Sequence, residues 1–210
     1  MDIARKALLL VIAAIGIPVM ALQAWLSLTR NLDHSPLWRL IDFVSYFTNT
    51  TGIIVTAVAI LALVRPASRL AQPGAVTAVA IYMLVVCVTY ETLLRGELHG
   101  LMVFTSLALH ELLPVLVALL WLLFTPKRDL RWTEPLGWLV YPALYVAWTL
   151  ARGAVIHRYP YFFANVDQLG YPRALATAFS FLATFYVFGL AAVACGRIKL
   201  LRGATHPAQA

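Results

Sequence analysis

The chain has 210 residues, of which 62% are hydrophobic types and 12% are charged. A soluble domain carries about 45–50% apolar and about 25% charged residues, so this composition excludes a disordered chain and argues against a water-soluble globule. The formal charge of +7, from 16 Lys and Arg against 9 Asp and Glu, belongs in a membrane protein to cytoplasmic loops and not to a nucleic-acid surface.

Uncharged apolar runs predict six spans, at 7–29, 41–64, 74–95, 101–124, 136–156 and 174–196. Each is long enough to cross about 30 Å of hydrocarbon at about 1.5 Å per residue. Six spans take up about 120 residues and leave only enough for loops and tails. The expectation is one all-α domain over 1–210, a polytopic membrane protein with six transmembrane helices in one bundle. The first run follows Arg5 and Lys6, as a signal peptide would. It continues through Trp25 to Leu28, beyond a signal core of about 7–15 residues, and reads as a retained helix. Arg65-Pro66, Pro73-Gly74, Thr125-Pro126, Glu134-Pro135 and Tyr171-Pro172 punctuate the loops.

Lys and Arg set the expected orientation. Arg5, Lys6, Arg65, Arg69, Lys127, Arg128, Arg131, Arg197, Lys199 and Arg202 fall on one side, against Arg30, Arg39, Arg95, Arg158 and Arg173 on the other. The excess places both termini in the cytoplasm and makes 30–40, 96–100 and 157–173 the outer loops. The last of these is rich in aromatics, including Tyr159, Tyr161, Phe162 and Phe163. They form either an interfacial belt or a lid over a lipid pocket. Cys87 and Cys195 fall at different depths, which argues against a disulfide between them. Neither has metal-ligand spacing, and no metal or cofactor is expected.

A polar group inside a bilayer is costly, so each one is a functional candidate. The second span carries Asp42, Ser45, Thr48, Asn49, Thr50, Thr51 and Thr56. The third carries Thr89, Glu91 and Thr92, the fourth Thr105, Ser106, His110 and Glu111, and the fifth Thr149 and Arg152. Counting about 1.5 Å per residue from the outer ends puts Thr48 about 12 Å and His110 about 13 Å below the outer surface. Glu91 and Arg152 fall in the same outer half, where an ion pair between them is one expectation. Ser45, Thr48, Thr51 and Gly52 share a helix face, which also suits close helix packing. Pro114 follows His110 by four residues and removes the N–H that would bond the His110 carbonyl. A histidine at such a break can serve as a base near neutral pH. Glu111 lies about 100° around the helix from it and is expected to face elsewhere.

The segments SYFTNTTGIIV, LHELLPVLVALLWLLF and RYPYFFANVDQLGY resemble the androgen-induced-protein family, over most of the chain. That resemblance implies six spans and, from the animal members, hydrolysis of esters between fatty acids and hydroxy fatty acids. The family's threonine nucleophile and histidine partner fall by motif on Thr48 and His110. Thr50 and Thr51 lie close enough to leave the choice of threonine open, and the histidine-to-proline spacing is one residue shorter than in the animal proteins. Supporting candidates are Asn49 and Tyr161 as oxyanion donors, Glu91, Glu111 and Arg152 in the polar layer, and His157 at the rim. No third acid is evident to orient His110. The expected location is a bacterial inner membrane, and the expected partners are a lipid ester and membrane lipids, with no nucleic acid. Lipid binding or transport without chemistry, and acyl transfer to another acceptor, are the competing readings.

Overall fold

A computed structural model describes residues 2–30 and 32–197. The tail residues Lys199, Arg202 and His206 lie outside the described residues. Six helices are long and apolar enough to cross a membrane: Ile3–Leu28, Phe47–Val64, Pro73–Leu94, Leu101–Phe124, Glu134–Ile156 and Val166–Cys195. Among the described residues there is no strand. The protein is an all-α polytopic membrane protein. Its chain packs as two compact units, Met1–Phe124 and Thr125–Ala210.

The first unit begins with α1 (Ile3–Leu28), capped by Asp2, which accepts from the Ala4 N–H at 3.2 Å. Leu9, Ile12, Gly16 and Val19 recur on it at helical spacing and are buried. α1 packs most extensively on α3 (Phe47–Val64). Gly16 makes that contact possible, because a Cβ there would run into the Thr56 side chain. Small residues at such crossings are how membrane helices approach closely. α4 (Pro73–Thr89) runs on through a π turn, Tyr90–Leu94. The fourth span is made of α5 (Leu101–Leu107), a π turn at Ala108–Leu112 and α6 (Leu113–Phe124). Trp121 Nε1 donates to Thr77 Oγ1 at 3.1 Å, and that hydroxyl donates to the Pro73 carbonyl at 2.7 Å. This chain ties α4 to α6 and leaves no polar group on it orphaned where lipid supplies no partner.

The second span departs from expectation. Instead of one helix over 41–64, a nine-residue helix α2 (Pro36–Val44) is followed by a turn, and α3 starts only at Phe47. Ser35 caps α2 by accepting from the Trp38 N–H at 3.2 Å, with Pro36 pre-set at the helix start. Ser45 then ends it: its N–H bonds to the Asp42 carbonyl at 3.1 Å and its hydroxyl to the Ile41 carbonyl at 2.7 Å. Asn49 reaches back across the turn, its Nδ2 donating to the Phe43 carbonyl at 2.8 Å. Ser and Asn compete for backbone groups in this way, which is why they break a run that hydrophobicity alone makes continuous.

The second unit contains α7 (Glu134–Trp138), α8 (Val140–Ile156) and α9 (Val166–Cys195). α8 ends at His157 in the left-handed conformation, φ 53°. Asn165 caps α9 by accepting from the Gln168 N–H at 3.2 Å. The sixth span therefore reaches back to Val166, well before the expected 174, and bends at Gly170, whose φ of 73° and ψ of 156° suit glycine. Cys87 and Cys195 are both free thiols.

Candidate active site

Thr48 sits in the first turn of α3 because the helix breaks at Ser45 and Tyr46. The break decides its chemistry. A threonine inside a helix usually returns its hydroxyl to a carbonyl three or four residues back. Thr50 does so, to Phe47 at 3.1 Å and Tyr46 at 3.3 Å. Thr56 does so to Gly52 at 2.8 Å. Thr51 is fully buried with a partner of its own. Thr48 is half-buried, and neither its hydroxyl nor its N–H has a hydrogen-bond partner among the described residues. The carbonyls three and four residues behind it, of Ser45 and Val44, belong to the turn and to the end of α2. Depth counted along one continuous helix therefore does not apply to Thr48.

Gly52 lies one turn further along α3, on the face that carries Thr48. It packs first against Met20 of α1, into whose side chain a Cβ there would run, and then against Leu109, whose Cδ2 would lie 3.2 Å from that Cβ. That face of α3 thus meets both α1 and the Ala108–Leu112 turn, and α3 packs against each. His110 is at the centre of this turn.

The backbone break expected at His110 takes the form of a π turn, in which the Leu113 N–H bonds to the Ala108 carbonyl, five residues back. Pro114 directly follows and cannot donate, which weakens the regular ladder at this point. Single π turns are rare and concentrate at functional positions. The His110 Nδ1 lies 2.9 Å from the Ser106 carbonyl and 3.1 Å from the Ser106 hydroxyl. A carbonyl only accepts, so Nδ1 carries the proton and Nε2 keeps its lone pair. Ser106 thereby does the orienting for which the sequence offered no acid. The two side chains of Thr48 and His110 are not hydrogen-bonded to each other.

On the neighbouring span the other π turn, Tyr90–Leu94, stacks Tyr90 on His110 with ring centroids 4.0 Å apart and planes 13° apart. Glu91 and Glu111 share one partner, Arg95, which bonds to Glu91 and lies 3.0 Å from Glu111. Glu91 is thus bonded within its own span, to Arg95, which the sequence reading counted among the outer-side charges. One oxygen of Glu91, Oε1, is buried with no partner among the described residues. Asn49 is 3% exposed and spends one amide N–H on the Phe43 carbonyl, so its first role is to hold the break.

Three candidates belong to the second unit. Arg152 is half-buried in α8. His157 is exposed, its Nδ1 3.1 Å from Asp167 Oδ2. Tyr161 stacks on Phe163 at 5.1 Å, which in turn meets Phe181 at 5.0 Å. Burial raises the pKa of the Tyr159 phenol in the same loop, with the Asp167 carboxylate and Tyr171 adding to the effect. Among the described residues no group of His, Cys, Asp and Glu is placed to hold a metal ion.

Tyr90 and Arg95 were not singled out from sequence as partners of His110 and Glu111. The signal was there in part, since both sit beside Glu91 on one span, but the π turn that aims them leaves no mark in a hydrophobicity pattern. No family model, curated protein or solved structure matches the chain.

Proposed function

We propose that this protein is a membrane hydrolase of lipid esters, of the type that joins a fatty acid to a hydroxy fatty acid, with Thr48 as nucleophile and His110 as base. The observations that support the reading are an unbonded threonine hydroxyl at a helix break and a histidine that bonds to Ser106 through Nδ1 and keeps Nε2 open, on elements that pack together. The resemblance of the Thr48 and His110 segments to the androgen-induced-protein family supports the same two residues and the same ester class.

In the proposed reaction the Thr48 hydroxyl attacks the ester carbonyl while the His110 Nε2 takes its proton. The carbonyl oxygen gains the negative charge, and the unpartnered Thr48 N–H is available to receive it. Collapse expels the alkoxide, which His110 protonates, and leaves an acyl-threonine. Water, deprotonated by the same Nε2, releases the fatty acid. A free threonine hydroxyl is a poor nucleophile, so the histidine is required. The excess of Lys and Arg supports a proposed orientation with both termini in the cytoplasm, which, by the count along the fourth span, puts His110 in the outer half of the proposed bacterial inner membrane.

The test is turnover of a defined ester of a fatty acid with a hydroxy fatty acid by the purified protein in detergent. The wild type releases both acids. Thr48→Ala and His110→Ala each lower the rate by about 10²–10⁴-fold, the usual worth of an acid–base partner, and keep the wild-type elution volume. Binding of the ester without turnover by the wild type contradicts the proposal and favours lipid binding or transport. An added alcohol that captures the acyl group in place of water identifies a transferase.

A further inference from the structure

We infer that Tyr90 is the positioning residue for His110, through the face of its ring. The inference rests on the Thr48–His110 reading for its consequence in catalysis, though not for the contact itself. Two spans each widen into a π turn, Tyr90–Leu94 and Ala108–Leu112. The turns are tied twice: Arg95 bonds to Glu111 at 3.0 Å, and Tyr90 lies nearly parallel on His110, 4.0 Å between centroids. Arg95 is 58% exposed and its partners are a third exposed, whereas Tyr90 is buried at 9%. The buried contact is the one fixed by packing.

An imidazole has two rotations to lose before it can act as a directed base. The bond from Nδ1–H to the Ser106 carbonyl sets which nitrogen faces the helix. Both Ser106 contacts, to the carbonyl and the hydroxyl, meet the ring at the one atom Nδ1 and do not hold its plane, because a side chain can swing about its terminal torsion over a broad range. Tyr90 closes off that swing by covering one face of the imidazole. An aromatic face also attracts a cation above it, so the ring favours the imidazolium that forms when His110 takes the threonine proton. The phenol oxygen is not needed for either effect. The ionisable groups on the elements packed against the His110 turn are Tyr82, Cys87, Tyr90, Glu91 and Arg95 on the α4 span, Glu111 beside His110, and Arg5 and Lys6 in the first turn of α1. Of these, Tyr90 is the one stacked on the imidazole.

The experiment compares wild type, Tyr90→Phe and Tyr90→Leu in two readouts. The first is the ¹⁵N spectrum of histidine-labelled protein, which distinguishes a ring protonated at Nδ1 from one protonated at Nε2. The second is the rate of covalent labelling by a fluorophosphonate probe. Wild type and Tyr90→Phe show His110 as a single Nδ1-protonated tautomer. Tyr90→Leu shows a mixture of tautomers, and its labelling slows at least tenfold while Tyr90→Phe stays within twofold of wild type. A single tautomer and an unchanged rate in Tyr90→Leu overturn the inference, and so does a loss in Tyr90→Phe equal to that in Tyr90→Leu. Absence of labelling in the wild type contradicts the hydrolase reading alone. In that case the tautomer spectra still decide whether Tyr90 positions His110.

Discussion

Thr48 differs from Thr50 and Thr56 only in where it falls along α3. Those two lie deep enough in the helix to bond back to carbonyls at 3.1 Å and 2.8 Å, whereas Thr48 follows the turn and keeps its hydroxyl open. On this account Thr50→Val retains ester turnover within about twofold, the scale of a surface substitution outside the reacting groups, and a kinetic assay on the purified variant checks it. Asn49 is a structural residue first. Asn49→Ala leaves the buried Phe43 carbonyl without its donor, a loss of about 1–3 kcal/mol, and lowers the melting temperature in detergent. An unchanged melting temperature would mean that the turn is held by Ser45 alone. The sequence made both residues visible, because polar side chains in a bilayer stand out. It did not reveal their division of labour, because that depends on a break inside an apolar run containing neither Gly nor Pro between 41 and 51.

At the level of helices, close approach and backbone shape matter more than side-chain chemistry. Gly16→Ala drives a Cβ into Thr56 across the α1–α3 contact. Thr56 is β-branched, buried and bonded to Gly52, so it cannot swing aside, and overpacking of this kind costs about 1–3 kcal/mol. Denaturation in mixed micelles checks this against Gly137→Ala, a position with nothing within 4 Å of the added Cβ. Gly170→Ala strains α9 at a φ of 73°, worth about 1–3 kcal/mol, and shows as a lowered unfolding temperature. The six spans were legible in the sequence because length and freedom from charge are local properties. Their exact ends were less so: α9 begins at Val166, where an Asn165 cap outweighs the charged and polar residues that made 157–173 read as loop. Neither π turn was legible, since widening by one residue leaves an apolar pattern intact. Only Pro114, four residues after His110, hinted at the second.

At the level of the whole molecule, large apolar side chains cover the outside of the spans. Leu10, Ile17, Leu119, Leu122 and Val187 are all exposed, which suits helices whose solvent is hydrocarbon. Cations concentrate in the segments expected on the cytoplasmic side. A fluorescent protein fused to the C-terminus is predicted to fold and fluoresce, since the Lys and Arg excess leads us to propose a cytoplasmic C-terminus. A periplasmic alkaline phosphatase at the same position is predicted to stay inactive. The opposite pair of results would invert the topology and move the Thr48 and His110 region to the inner half.

The central claim is that Thr48 is an activated nucleophile. The most direct measurement is to treat the purified protein with a fluorophosphonate probe and locate the adduct by peptide mass spectrometry. The account predicts one adduct, on the peptide that contains Thr48, absent from Thr48→Ala and strongly reduced in His110→Ala. A well-folded protein that takes no adduct, or one whose adduct persists in Thr48→Ala, would contradict it.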